Sequence, residues 1–298
     1  ILSNNEFDGE EYDARKELGR WSEPGYDDSR WMQAERVSIP SGYPKGQMMP
    51  GIKVVERIHP ETIRKSAKGY ILDMGQNMVG WVRIQVKGQA GDSVRLRFAE
   101  TLQENGELYT ANLRDAQATD LYILKGEGTE EWAPRFVYHG FRYVEVSEFP
   151  GTPTLTNFVG EVVNDDMPLT GTFECDNPVL NQLVKNAFWG IRGNYKGMPL
   201  DCPQRDERQP WLGDRTTGAL GESFLMEHGP LYAKWMDDIR DAQRIDGCIP
   251  DVVPAYYYYY TDNVTWPSAF ILISNMLYEQ YGNTEPICKH YPGMKLWM

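Results

Sequence analysis

A chain of 298 residues with 41% hydrophobic content is long enough for roughly two or three domains and has the apolar share of ordinary buried cores. Its 43 acidic and 30 basic residues give a formal net charge of -13, a field that repels phosphate backbones and anionic lipid, so neither nucleic acid nor a membrane is an expected partner. No apolar run approaches the roughly 18 residues that span a bilayer, and the opening ILSNNEFDGEEYD is too acidic for a signal peptide.

Residues 1–50 are polar and turn-rich, with WSEPGYDDSRW (21–31) setting aromatics around a Pro-Gly turn, and short strands and loops are expected there. From about residue 52 to 148 the apolar period is two. WVRIQVKG places Val82, Ile84 and Val86 on one face against Arg83, Gln85 and Lys87, and SVRLRFAE repeats this with Val94, Leu96 and Phe98. With Gly-rich turns at KGQAGD and KGEGTE, the pattern predicts an antiparallel β-sandwich of about a hundred residues.

After PGTPTLTN (150–157) the period becomes helical. DNPVLNQLVKNAFWGIRGN offers Asn177 as N-cap and Pro178 at the first helical position, with Val179, Leu180, Leu183, Val184, Ala187, Phe188 and Ile191 on one face. Further helices are expected from Thr216 to Met226, from Pro230 to about Ile245, from Pro267 to Tyr281 and from about Pro286 onward. The fold class is therefore β plus α and multidomain, a sandwich followed by a helical domain. The four cysteines, Cys175, Cys202, Cys248 and Cys288, show no CxxC spacing and no nearby histidine pattern, so neither disulfides nor a metal site nor any other cofactor is expected. His139 and His228 sit at turns and are expected to be structural.

Two loops between helices carry chemistry. DCPQRDERQPWLGD (201–214) packs Asp201, Arg205, Asp206, Glu207, Arg208 and Asp214 around Trp211, with Pro203 and Pro210 keeping most of it from being helical. Carboxylates that move protons, arginines that hold hydroxyls and an indole that packs on a sugar suit carbohydrate hydrolysis; an ion-paired structural turn is the plain alternative. IPDVVPAYYYYYTDNVTW (249–266) brings Asp251, Asp262, Trp266 and five consecutive tyrosines, either an aromatic wall or a packing loop.

The first of these loops resembles the signature of bacterial α-L-rhamnosidases, glycoside hydrolase family 78, whose usual form is close to DCPQRxERxGWxGD. YDARKELGRWSEPGYDDSRW resembles the end of that family's N-terminal β-domain, DMGQNMVGWVRIQVKGQAGDSVRLRFAETL its concanavalin-like sandwich, and LTGTFECDNPVLNQLVKNAFWGIRGNYKGMPLDCPQRDER the start of its six-hairpin (α/α)6 domain. The implied division is 1–50, 51–153, a linker at 154–170, and 171–298 as the first part of a truncated helical barrel.

The resemblance implies inverting hydrolysis of terminal non-reducing α-L-rhamnosyl groups from a rhamnose-containing glycan or glycoside, without metal. It assigns Glu207 as general acid and Asp201, Arg205, Trp211, Asp214 and Trp266 to the sugar. Gln209-Pro210 stands where the family has a hydrophobic residue and glycine, and Arg215-Thr216 where it often has Ala-Gln. The family's general base lies further along the helical domain than Met298, so the chain is expected to be a fragment that is poorly active alone and leaves apolar helix faces uncovered. The competing readings are a non-catalytic carbohydrate-binding protein and a helical-barrel glycosidase or lyase for another sugar. A homo-oligomer is compatible with the sequence, and the compartment, exported or cytoplasmic, is left open.

Overall fold

The computed structural model describes residues 1–39 and 42–298. Among the described residues twelve strands come first: β1 (Ser3–Asn5), β2 (Gly9–Asp13), β3 (Ile52–Ile58), β4 (Thr62–Ser66), β5 (Gly69–Lys87), β6 (Ser93–Ala99), β7 (Thr101–Leu102), β8 (Leu108–Tyr109), β9 (Thr119–Ile123), β10 (Thr129–Trp132), β11 (His139–Glu148) and β12 (Phe158–Asp165). Six helices follow: α1 (Pro178–Gly193), α2 (Leu212–Thr216), α3 (Ala219–Glu222), α4 (Gly229–Ala242), α5 (Ala269–Tyr281) and α6 (Glu285–Trp297). No described helix is long and apolar enough to cross a membrane.

Ten strands form one curled sheet in the order β1-β2-β9-β6-β11-β5-β12-β3, with β4 and β10 also paired to β5. The pairing is antiparallel except between β2 and β9, so the sheet is mixed at the end where the first residues join it. The 19 residues of β5 organise it, because successive stretches of this strand pair with β4, β11, β12 and β10. Gly80 lies where β11 and β12 flank the same residue, and a Cβ there would stand 1.9 Å from the Glu161 carbonyl oxygen. The expected alternation holds: Val82, Ile84, Val86, Val94, Leu96 and Phe98 are buried together with Phe141 and Phe158.

The helical part has its own core, in which Trp235, Met236 and Ile239 of α4 pack with Phe270, Ile273 and Leu277 of α5 and Met294 of α6. The expected N-cap is present, since the Asn177 side chain accepts from Val179 N at 2.9 Å ahead of Pro178. The α5 helix ends on Gly282 in the left-handed region, φ 63°, where glycine carries no Cβ penalty. One expectation is corrected. The helix predicted over 216–226 is two short pieces, α2 and α3, separated at Thr217 and Gly218. Thr216, Thr217 and Ser223 hydroxyls bond back to the carbonyls of Leu212, Asp214 and Leu220, and a buried Arg215–Glu222 ion pair at 2.7 Å links the pieces.

The apolar face read on α1 is largely in solvent: Val179 is 73% and Leu183 62% exposed, Val184 is half-buried, and only Phe188 and Ile191, partly buried, pack on the helical core. All four cysteines are free. Both histidines are buried, His139 stacked on Phe98 with centroids 4.2 Å apart and His228 bonded to the Ala219 carbonyl. Truncating Phe141, which is fully buried with its ring tilted against Phe98 at 4.8 Å, to alanine should cost about 3–5 kcal/mol, read as a lower midpoint in urea unfolding followed by near-ultraviolet circular dichroism.

Candidate active site

The 201–214 segment leaves α1 and is closed at its neck by its own backbone. Asp201 N donates to the Gln209 carbonyl at 3.0 Å, and Gln209 N donates to Asp201 Oδ1 at 2.6 Å. Gln209 is thereby buried, and its side-chain amide donates to the Glu207 carbonyl at 2.8 Å. Pro210, the other departure from the family pattern, offers its carbonyl to Val253 N at 3.1 Å. Leu212 N in turn donates to the Asp251 carbonyl at 2.9 Å, and Trp211 pairs with Val252 in an isolated antiparallel bridge. The two loops singled out in the sequence are therefore joined to each other by main-chain bonds.

Arg208 fixes the other side of the loop. It is buried, has φ 48°, and donates to the Tyr138 carbonyl at 2.8 Å and to the Glu6 carbonyl, with its guanidinium over the rings of Phe7 and Tyr138. The loop is thus pinned to the sheet through a cation and to the helices through main-chain bonds.

Glu207 stands at the centre. Its Oε2 pairs with Arg205 Nε and with a guanidinium nitrogen of Arg114, each at 2.9 Å, and its Oε1 accepts from the Trp211 indole N–H at 3.1 Å. Arg205 also reaches Asp201 Oδ2 at 3.4 Å. Burial pushes the Glu207 carboxyl upward, but the bond and charge of Arg205, the charge of Arg114 and the indole N–H outweigh it and hold the group below its ordinary value. Asp201 and Asp214 move the other way, raised first by burial and further by the charge of Glu207.

Trp211 stacks on Tyr259 with centroids 5.5 Å apart and 17° between planes. Trp266 lies over Gly213, where a Cβ would meet its indole at 2.6 Å, so glycine is required for this approach. The sequence-predicted Asp201, Arg205, Glu207 and Trp211 are in one bonded network, and Trp266 is seated beside it. Asp214 begins the exposed side of α2 and is coupled to Glu207 by charge. Asp262 is elsewhere, accepting from the Cys248 thiol at 3.2 Å. Sequence reasoning missed Arg114, which no local motif marks, and the docking role of Arg208.

Asp201, Cys202 and Glu207 bring side-chain donor atoms within 4.8 Å of one another. Arg205 already bridges the two carboxylates, and burial lifts the Cys202 thiol to about 12, so this cluster carries its own cation and a protonated sulfur. A polar cleft of about 430 Å³ behind the loop is lined by Asp201, Gln204 and Arg205 together with Asn77, Glu100 and Trp189. A larger cavity of about 620 Å³, around Cys248, Asp262 and Trp297, contains none of the six predicted residues.

Two predictions follow from these contacts. Because the folded-state pKa of Glu207 is depressed, its ionic contacts stabilise the fold above the unfolded carboxyl value of about 4.3 and are lost as pH falls through the folded value. The melting-temperature gap between wild type and Glu207→Gln should therefore be wider at neutral pH than at pH 3, by differential scanning calorimetry. Glu222→Ala strands the buried Arg215 and should cost about 3–5 kcal/mol, far more than a surface ion-pair deletion, by chemical denaturation.

Three family models match in chain order: the α-L-rhamnosidase N-terminal domain over residues 1–56, the bacterial α-L-rhamnosidase concanavalin-like domain over 63–164, and the bacterial α-L-rhamnosidase six-hairpin glycosidase domain over 168–298. An α-L-rhamnosidase of Streptomyces avermitilis is 41% identical across 100% of this chain, which spans 29% of that protein. The crystal structure of the Streptomyces avermitilis α-L-rhamnosidase complexed with L-rhamnose superposes with a TM-score of 0.95 at 41% identity, over 100% of this chain and 29% of that one. The α-L-rhamnosidase of Dictyoglumus thermophilum superposes with a TM-score of 0.96 at 40% identity, over 99% of this chain and 33% of that one. The chain thus spans about a third of the length of the relatives it matches. From its first strands to its last helix, the chain belongs to the bacterial α-L-rhamnosidase family.

Proposed function

We propose that this chain carries the acid half of an inverting α-L-rhamnosidase site, acting on terminal non-reducing α-L-rhamnosyl groups of a glycan or glycoside. Glu207 is the general acid that protonates the departing glycosidic oxygen. Asp201 and Arg205 hold the sugar's hydroxyls, Asp214 adds a further acceptor, and Trp211 and Trp266 pack against apolar parts of the ring, including its methyl group. The observation that carries this reading is the placement of Glu207 between two guanidinium groups and an indole N–H, in the loop whose Gly213 seats Trp266.

Inversion needs a second carboxylate about 6.5–9.5 Å from the first, with a water between it and the sugar. The resemblance puts that base further along the helical domain. The division into a β-domain segment (1–50), a sandwich (51–153), a linker (154–170) and a helical catalytic part (171–298) belongs to the same proposal. So does the absence of nucleic-acid and membrane partners, which rests on the charge of -13. A homo-oligomer is compatible with it.

A second reading, a sugar-binding protein without turnover, is favoured by one observation: the contacts of Glu207 hold it ionised, whereas an acid catalyst must carry a proton. One experiment separates the two. Release of p-nitrophenol from p-nitrophenyl α-L-rhamnopyranoside is followed for the 298-residue chain and for a version extended to the relatives' length, each with and without Glu207→Gln. Turnover confined to the extended form supports the enzyme. The substitution should lower it by roughly 10²–10⁴-fold on an alkyl rhamnoside, whose leaving oxygen needs the proton, and by less on the nitrophenyl glycoside. No turnover by a folded extended protein that still binds L-rhamnose would establish the binding reading.

A further inference from the structure

Glu207 cannot donate a proton while two cations hold its Oε2, so at least one must leave before the reaction. The two are not equivalent. Arg205 belongs to the same loop, is 29% exposed and is tied to Asp201 as well. Arg114 comes from the β-domain, is 53% exposed, and among the described residues its guanidinium has no ion pair other than the one with Glu207.

The Arg114 backbone adds an independent observation. It ends the one-turn 3-10 helix Ala111–Leu113 with φ 59° and ψ -121°, a conformation that a side chain with a Cβ rarely adopts. Buried Leu113 and Ala116 clamp the turn on either side, and Asp115 N donates to Asp206 Oδ2 at 3.4 Å, which brings the turn against the loop beside Glu207. The strain is held in place by packing, and its effect is to aim one guanidinium across the domain junction at one carboxylate.

We propose that Arg114 is a positioning residue for the acid: it clasps the Glu207 carboxylate from the β-domain side in the free protein and lets go when the leaving group of a glycoside takes its place. The inference rests on the reading of Glu207 as the general acid. The groups that face Glu207 are Arg205, the Trp211 N–H, the Cys202 thiol, Asp201 and Asp214 from the helical side, and Arg114 with its neighbour Asp115 from the β-domain side. Once Arg114 departs, Arg205 is the remaining cation, and the negative charges of Asp201 and Asp214 favour the protonated acid.

The test uses the chain extended to the relatives' length, with Arg114→Met and Arg114→Lys beside the parent. The pH dependence of carbodiimide labelling at Glu207, mapped by mass spectrometry, reports its ionisation without any turnover. Its midpoint should rise by about one unit in Arg114→Met and stay close to the parent's in Arg114→Lys. With an alkyl α-L-rhamnoside, the alkaline limb of kcat/KM, which reads the free enzyme, should rise by the same amount, while the alkaline limb of kcat, which reads the complex, stays in place. An unmoved labelling midpoint overturns the clasp, and a kcat limb that moves equally overturns the release. Absence of turnover with a shifted labelling midpoint defeats the acid assignment, and the release step with it, while the ion pair stands.

Discussion

The candidate site depends on one buried cation. Arg208 leaves its loop with a left-handed backbone and sinks its guanidinium among the carbonyls of Tyr138 and Glu6 and the faces of Phe7 and Tyr138, with no carboxylate in ion-pair contact among the described residues. A cation taken from water is tolerated only where many dipoles and rings replace its hydration. Those partners come from the turn between β1 and β2 and from the residue just ahead of β11, so the loop is seated only when the β-domain is folded against it. The neighbouring residues, Arg205, Glu207 and Gln209, take their positions from that seat.

Given the seat, the electrostatics of the loop follow from crowding. Asp201, Glu207 and Asp214 share a small, partly buried region with Arg205 and Arg114, and the cations are distributed unevenly among them. Glu207 receives two cations and an indole N–H and is held ionised, while the flanking aspartates, poorer in partners, are shifted toward their neutral forms. Each contact to Glu207 opposes the upward push of burial, so removing any one of them moves its carboxyl toward the protonated form.

Behind the loop, the scaffold is made rigid in a different way. Arg215, Glu222, Tyr195 and Tyr232 form a buried polar cluster in which the Glu222 carboxylate accepts from both tyrosines and from the arginine. It fastens α2 and α3 to the core of α4 and α5, and α2 carries Asp214 and the Gly213 seat of Trp266. The Arg215 departure from the family pattern thus has a structural explanation, since its charge is answered by Glu222 seven residues on. The exposed apolar residues of α1 contrast with this fastened core.

Much of this was legible in the residues. Alternation in WVRIQVKG and SVRLRFAE marks strands because side chains on a strand point to opposite faces in turn, and Asn177-Pro178 marks a helix start because local capping geometry requires little beyond those residues. The chemistry of DCPQRDERQPWLGD was equally visible, as its charges and indole lie within one short loop. Less visible were facts that depend on distant partners. Thr216 to Met226 has a helical composition, yet it folds as two short pieces with back-bonding hydroxyls, joined by the Arg215–Glu222 pair. The single curled sheet, with β2 parallel to β9, joins residues more than a hundred positions apart. The amino-acid order by itself determined strands, helix caps and the loop's inventory of acids, bases and rings, because these are local. Only the tertiary structure decided that Arg114 meets Glu207, that Arg208 anchors the loop and that Trp266 rests on Gly213, because each contact joins segments whose proximity exists only after the sheet and the helices have packed.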